Sequence, residues 1–269
     1  DEVENATGGR AELASYSFEW NSLRAQVHGF VLHGTEAAGQ EPLFRADAIS
    51  VGLNITSMLR REINVASVDV TRPRAHILVR PDGTSNIPGP RVQKTHRDPI
   101  DQIFELKIGR FTIRDGSVLY NSETIPLDVS GEGLRAGLTY EIAGPQYRGR
   151  IGVSDLLVSR PLAAPLRAAA QSAFLFRRNQ IVVSSLRLSL PESSIEASGQ
   201  VDDLASPHGN FSASATLLAA ELARSFHIPE LKTGTVQWSG NGSFRARPPM
   251  LAIDGRFSGS GVSYRNPAV

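Results

Sequence analysis

Three observations predict a mainly β protein, an antiparallel sheet with one apolar face, broken by two short amphipathic helices. Strict alternation of apolar and polar residues recurs along the chain, and a period of two places one set of side chains on each face of a sheet. Turn signals rich in Gly, Asn and Asp separate the runs. A helical pattern intervenes in only two places, which favours hairpins over βαβ units.

In chain order, the alternating sets are Ile49/Val51/Leu53, Ile63/Val65, Val68/Val70, Ile77/Val79, Phe104/Leu106/Ile108, Phe111/Ile113, Leu186/Leu188/Leu190, Phe211/Ala213/Ala215, Val236/Trp238 and Leu251/Ile253. The stretch "LRLSL" is the cleanest, with Arg187 and Ser189 opposite its three leucines. Polar residues fill the other face, as in an antiparallel sheet wetted on one side. Turns are expected at "PDGTSN" (81–86), "RDGS" (114–117), "FRRNQ" (176–180) and "SGNGS" (239–243). Bulges are expected near Gly29 and Ala66-Ser67.

The first helix is expected at Asn54–Glu62, with Asn54 as N-cap, Ile55, Met58 and Leu59 at helical spacing, and Arg60 and Arg61 at the end favoured by the dipole. The second is expected at Leu217–Phe226. There Leu218, Leu222 and Phe226 share one face, Glu221 and Arg224 lie on another, and Pro229 follows the end. Pro, Gly and charge crowd the stretch from Pro81 to Pro99, a rim loop or linker, so the chain divides into a first segment over 1–98 and a second over 99–269.

At 269 residues the chain is long enough to bury a sizeable core in one large β domain or two smaller ones. A formal net charge of +1 argues against a nucleic-acid surface. Cysteine is absent, which excludes disulfides and thiolate sites. No apolar run reaches the roughly eighteen residues of a spanning helix. The first residue is not Met, and the chain is expected to be a piece of a longer protein.

Catalytic constellations are lacking. The histidines at 28, 33, 76, 96, 208 and 227 make no HExxH or zinc spacing. "GEGLRAG" misses the GxGxxG spacing and reads as a bulged strand, and there is no GxSxG, Walker A or SxxK pattern. "VDDLASPHGN" lacks the alternating oxygen ligands of a calcium loop. The reading is therefore of a binding or structural protein, not an enzyme, with no catalytic residue, cofactor or metal.

Two long stretches carry a resemblance. "GGRAELASYSFEWNSLRAQVHGFVLHG", followed by "EPLFRADAISVGLNITSMLRREINVASVDVTRPRAHILVRPDGTSNIP", resembles the N-terminal part of the AsmA/TamB family of bacterial envelope proteins. "ASGQVDDLASPHGNFSASATLLAAELARSFHIPELKTGTVQWSGNGSF" is similar to the phrase that family repeats: a Gly-polar strand, a short leucine helix, and a further glycine-punctuated strand. The resemblance implies an elongated, strongly curved antiparallel sheet forming an open hydrophobic groove. At ~4.8 Å per strand, about fourteen strands would run ~65 Å. It further implies phospholipid acyl chains as ligand, a periplasmic place between the inner and outer membranes of a diderm bacterium, and an inner-membrane anchor outside this sequence. A second reading is an assembly scaffold docking an outer-membrane β-barrel partner. The large apolar residues of the alternating sets, from Ile49 to Ile253, would line the groove, and Leu218, Leu222 and Phe226 would cap it.

Overall fold

The computed structural model describes residues 2–264 apart from 38, 55–64, 90–103, 125, 162–163, 227, 229 and 247. The described residues are 68% strand and 6% helix, so alternation sets the fold class. Among the described residues fifteen strands belong to one sheet, with three short helices. The chain divides into two units, Asp1–Tyr147 and Arg148–Val269.

In the first unit, α1 (Glu2–Thr7) leads into β1 (Arg10–Glu12), β2 (Ser15–Glu19), β3 (Arg24–His33), β4 (Phe44–Leu53), β5 (Val65–Thr71), β6 (Arg74–Val79), β7 (Arg110–Ser122) and β8 (Leu127–Glu141). The strand order is β1-β3-β4-β5-β7-β8, with β2 also on β3, and β6 on β4 and β7. β5 and β6 are one strand with an interruption, because Thr71 opposite Ala48 and Arg74 opposite Arg45 keep a single register. At the break Arg72 is left-handed (φ 46) and Pro73 is buried. The ladder survives there: Arg72 N donates to Arg114 O at 2.8 Å, and Pro73 O accepts from Ser117 N at 2.8 Å.

β5 and β6 run parallel to β7, which departs from the expected meander of hairpins. A parallel pair needs a crossover of roughly a dozen residues or more. The Pro- and Gly-rich stretch between β6 and β7 supplies it. The start of that stretch is a latch. Thr84 N and Oγ1 both donate to Asp82 Oδ1, at 2.9 and 2.7 Å, and these hydrogen bonds hold the Asp82 carboxyl below its ordinary pKa. Gly83 takes the left-handed position (φ 81). Asn86 is then fully buried: its Oδ1 accepts from Leu78 N at 2.9 Å, and its Nδ2 donates to His76 O at 2.8 Å. The Asp-Gly-x-x-Asn pattern thus closes a turn onto β6.

Phe104 and Leu106 were expected on an alternating strand with Ile108. Residues 104–106 (α2) are instead helical, and Ile108 lies ahead of β7. Packing overrides alternation there. Phe104, 1% exposed, meets the Tyr147 ring at 5.3 Å, and Ile108 N donates to Tyr147 Oη at 3.0 Å. Leu106 is left 44% exposed.

The second unit takes most of β9 (Gln146–Ser159), then β10 (Leu166–Arg177), β11 (Gln180–Ser189), β12 (Ser194–Asp202), β13 (His208–Leu218), α3 (Ala219–Phe226), β14 (Leu231–Arg245) and β15 (Met250–Tyr264). From β10 onward each strand pairs antiparallel with the next. "FRRNQ" is the β10–β11 turn, as expected. "RDGS" and "SGNGS" are not turns: they lie inside β7 and β14. α3 begins two residues later than expected, so Leu218 closes β13 opposite Thr235 and is not a helical residue. The expected helix at Asn54–Glu62 and the expected strand residue Ile63 lie outside the described residues, save Asn54.

Candidate functional site

Registers assemble an apolar face in the first unit. Residues directly opposite across a ladder share a face. One row runs Tyr16, Val27, Ile49, Val70, Ile113, Ala136, and the next runs Phe18, Ala25, Val51, Val68, Phe111, Leu138. Leu53 opposite Val65 extends this face past a register shift that skips Ala66, one of the two expected bulges. Ile49, Val51, Leu53, Val65, Val68, Val70, Phe111 and Ile113 therefore do come together. The reverse face is polar, as in the row Gln26, Ser50, Asp69, Thr112.

A series of left-handed residues crosses this unit: Gly29 in β3 (φ 60), then Arg72, Asp115 in β7 (φ 51) and Gly133 in β8 (φ 65). A bulge was expected at Gly29, but the register with β4 runs through it unbroken, His28 opposite Ala48 and Phe30 opposite Ala46. Beyond the series the apolar residues change parity. Phe44, Ala75 and Val118 form a row there, and Ile77 pairs with Tyr120. Left-handed insertions of this kind re-aim side chains along a strand. Ile77 and Val79 thus belong to a different alternation frame from Val68 and Val70.

The second unit carries a stricter version. Ala170, Leu188, Ile195, Ala215, Trp238 and Phe257 form one row across six strands, with Leu186, Ala197, Ala213 and Gly240 beside it. Phe211 opposite Gly242 and Gly242 opposite Ile253 add a third row, and Phe244 opposite Leu251 a fourth. Val236 shares the parity of Trp238, and Leu190, just past β11, that of Leu188. On the other face, Arg187 Nε donates to Glu196 Oε1 at 3.0 Å and Ser212 Oγ to Asn241 Oδ1 at 2.6 Å.

Glycines give this face its texture. A Cβ on Gly255 would stand 2.6 Å from Trp238 Nε1, one on Gly240 2.9 Å from Trp238 Cζ2, and one on Gly242 would collide with the Phe211 ring. The aromatic rings lie down over neighbouring glycines, so Gly240 and Gly242 are seats for rings.

Exposure decides what such a face is. Among the described residues the buried apolar side chains other than proline are Ala46, Val70, Phe104, Tyr147, Ala215 and Ala219. The rest of the rows are half-buried, apart from Tyr16, Leu251, Ile253 and Phe257, which are 61, 64, 55 and 77% exposed. A second layer packed on either face would have buried them.

α3 sits at one end of this sheet. Arg224 Nη2 reaches Glu192 Oε2 at 2.6 Å, Leu218 N donates to Ser193 Oγ at 3.0 Å, and the helix packs mainly on β14. Its buried residues are Ala219 and Glu221, while Leu222 is half-buried. The helix face expected to be buried is thus only partly so. The side chain of Phe226 is outside the described residues.

Tyr16, Phe18 and Trp20 were missed by the sequence reading, although "YSFEW" alternates as clearly as "LRLSL". Phe257 and Ile195 were missed too, because Gly and Ser neighbours dilute the pattern. Among the described residues no three His, Asp or Glu side chains cluster closely enough to hold a metal ion, and no helix is long and apolar enough to cross a membrane. No protein-family model matches the chain, and comparison with the curated proteins returns no match either.

Proposed function

We propose that the protein is a non-enzymatic phospholipid-binding β-groove of AsmA/TamB type, conducting lipid between the two membranes of a diderm envelope from an anchored position in the periplasm. The observation that carries this reading is the set of apolar rows that stay half-exposed in each unit. Acyl chains laid on such a face recover about 0.8 kcal/mol for each CH₂ fully removed from water, and about half of that when one side is covered. Headgroups remain hydrated. The glycine-seated rings of Trp238 and Phe211 make a low floor suited to extended chains.

The test is mass spectrometry of organic extracts of the purified protein, paired with transfer of a fluorescent phospholipid from donor vesicles. Stoichiometric co-purified phospholipid and saturable transfer are expected. A lipid-free protein that transfers nothing would overturn the reading. A second reading is an assembly role in which a β-barrel partner docks on the half-exposed apolar rows.

A further inference from the structure

We propose that the aromatic edge of the first unit, Tyr16, Phe18 and Trp20, seats the protein in the interfacial layer of a lipid bilayer. The benefit of that seat rests on the groove reading: these side chains end the apolar rows of the first unit, so lipid would meet the face there. The seat itself has an independent readout.

Register puts Tyr16 opposite Val27 and Phe18 opposite Ala25, which makes them the outermost members of their rows. Tyr16 is 61% and Trp20 74% exposed. Phe18 and Trp20 meet edge to face at 4.7 Å, which ties the Trp20 ring to the end of the row. Tyr and Trp join an apolar body to a polar tip, the combination that concentrates at headgroup level.

Two features favour a bilayer over another strand. β2 is five residues long, β1 is three, and the edge they form carries Glu12 and Glu19, all of which discourage strand addition. The edge is also neutral. Arg10 and Arg24 match Glu12 and Glu19 in number, Arg10 pairs with Glu12 at 2.8 Å, and Ser22 Oγ donates to Glu19 at 2.9 Å. Without net positive charge the seat draws on apolar contact, so binding is expected to ignore anionic lipid and salt.

The chain has two tryptophans, so Trp238→Phe leaves Trp20 as the sole reporter. Titration with phosphatidylcholine vesicles should shift Trp20 emission to the blue, shield it from acrylamide, and expose it to quenching by lipids brominated near the headgroup. In an otherwise unchanged chain, Tyr16→Ser/Trp20→Ser should lower the vesicle-bound fraction in co-sedimentation about tenfold. These side chains are exposed, so that variant stays folded and keeps the question answerable if Trp238→Phe does not. The proposal is overturned if neither readout responds to saturating vesicles, if binding requires anionic lipid and vanishes at 0.5 M (roughly a 4 Å screening length) salt, or if a concentration-dependent dimer accounts for the Trp20 shift without vesicles. Docking without retained lipid would sink the groove reading and leave the seat standing. Retained lipid without docking would do the reverse.

Discussion

Leu188→Glu separates an open apolar face from a closed core. Leu188 stands between Ala170 and Ile195 in the central row of the second unit and is half-buried. Full burial of a leucine stabilises by about 1.5–3 kcal/mol, so removing a half-buried one costs about 1 kcal/mol. The new carboxylate reaches water from the open side, and the penalty for an unpaired buried charge does not arise. A destabilisation of about 1–2 kcal/mol lowers Tm by roughly 2–8 °C in a chain of this size. Beneath a second layer the same carboxylate would cost several kcal/mol out of the 5–15 kcal/mol typical of a domain, and the protein would unfold or express poorly. Lipid behaves oppositely. Loss of two or three CH₂ contacts on this one-sided face, about 1 kcal/mol, weakens retention about fivefold. Arg187→Gln is the control: Arg187→Glu would set two carboxylates face to face at Glu196, whereas glutamine removes an exposed ion pair worth at most about 1 kcal/mol. Thermal melting and retention of a fluorescent phospholipid are read together. Collapse of Leu188→Glu, or a near-normal melt with undiminished lipid retention, refutes the reasoning.

Gly242→Leu drives a side chain into the Phe211 ring and should cost about 1–3 kcal/mol by urea denaturation, with a smaller loss for Gly242→Ala. Asn86→Ala orphans Leu78 N and His76 O inside the first unit and should cost about 2–4 kcal/mol, with faster amide exchange along β6 as the local signature. Burial raises the Tyr147 pKa above that of an ordinary tyrosine, so the folded state keeps a proton that the unfolded state loses first. Its contribution is therefore present at neutral pH and lost as pH rises above about 10; Tyr147→Phe should flatten that alkaline limb, measured as Tm against pH.

The class of the fold was legible because a period of two is a local property. Each of Leu186, Leu188 and Leu190 reports its own face through its immediate neighbours, and the ladders that join them to Ile195 and Trp238 follow from that parity. The bulge at Ala66 was legible for the same reason, as a break in a local rhythm, whereas Gly29 is a left-handed residue within an unbroken register. What escaped depends on partners distant in the chain. Gly240 and Gly242 look like turn residues until Trp238 and Phe211 are laid over them from the same and the preceding strand. Phe104 looks like a strand residue until Tyr147 supplies its cover, and Leu218 helical until Thr235 pairs with it. The parallel course of β5 and β6 beside β7 was likewise invisible, because a crossover is a relation between strands and leaves no periodic mark on any of them. Sequence alone thus determined that the protein is a sheet with one apolar face. Only the tertiary structure decided that those rows stay half-exposed, since exposure is set by the layer that does or does not pack against them.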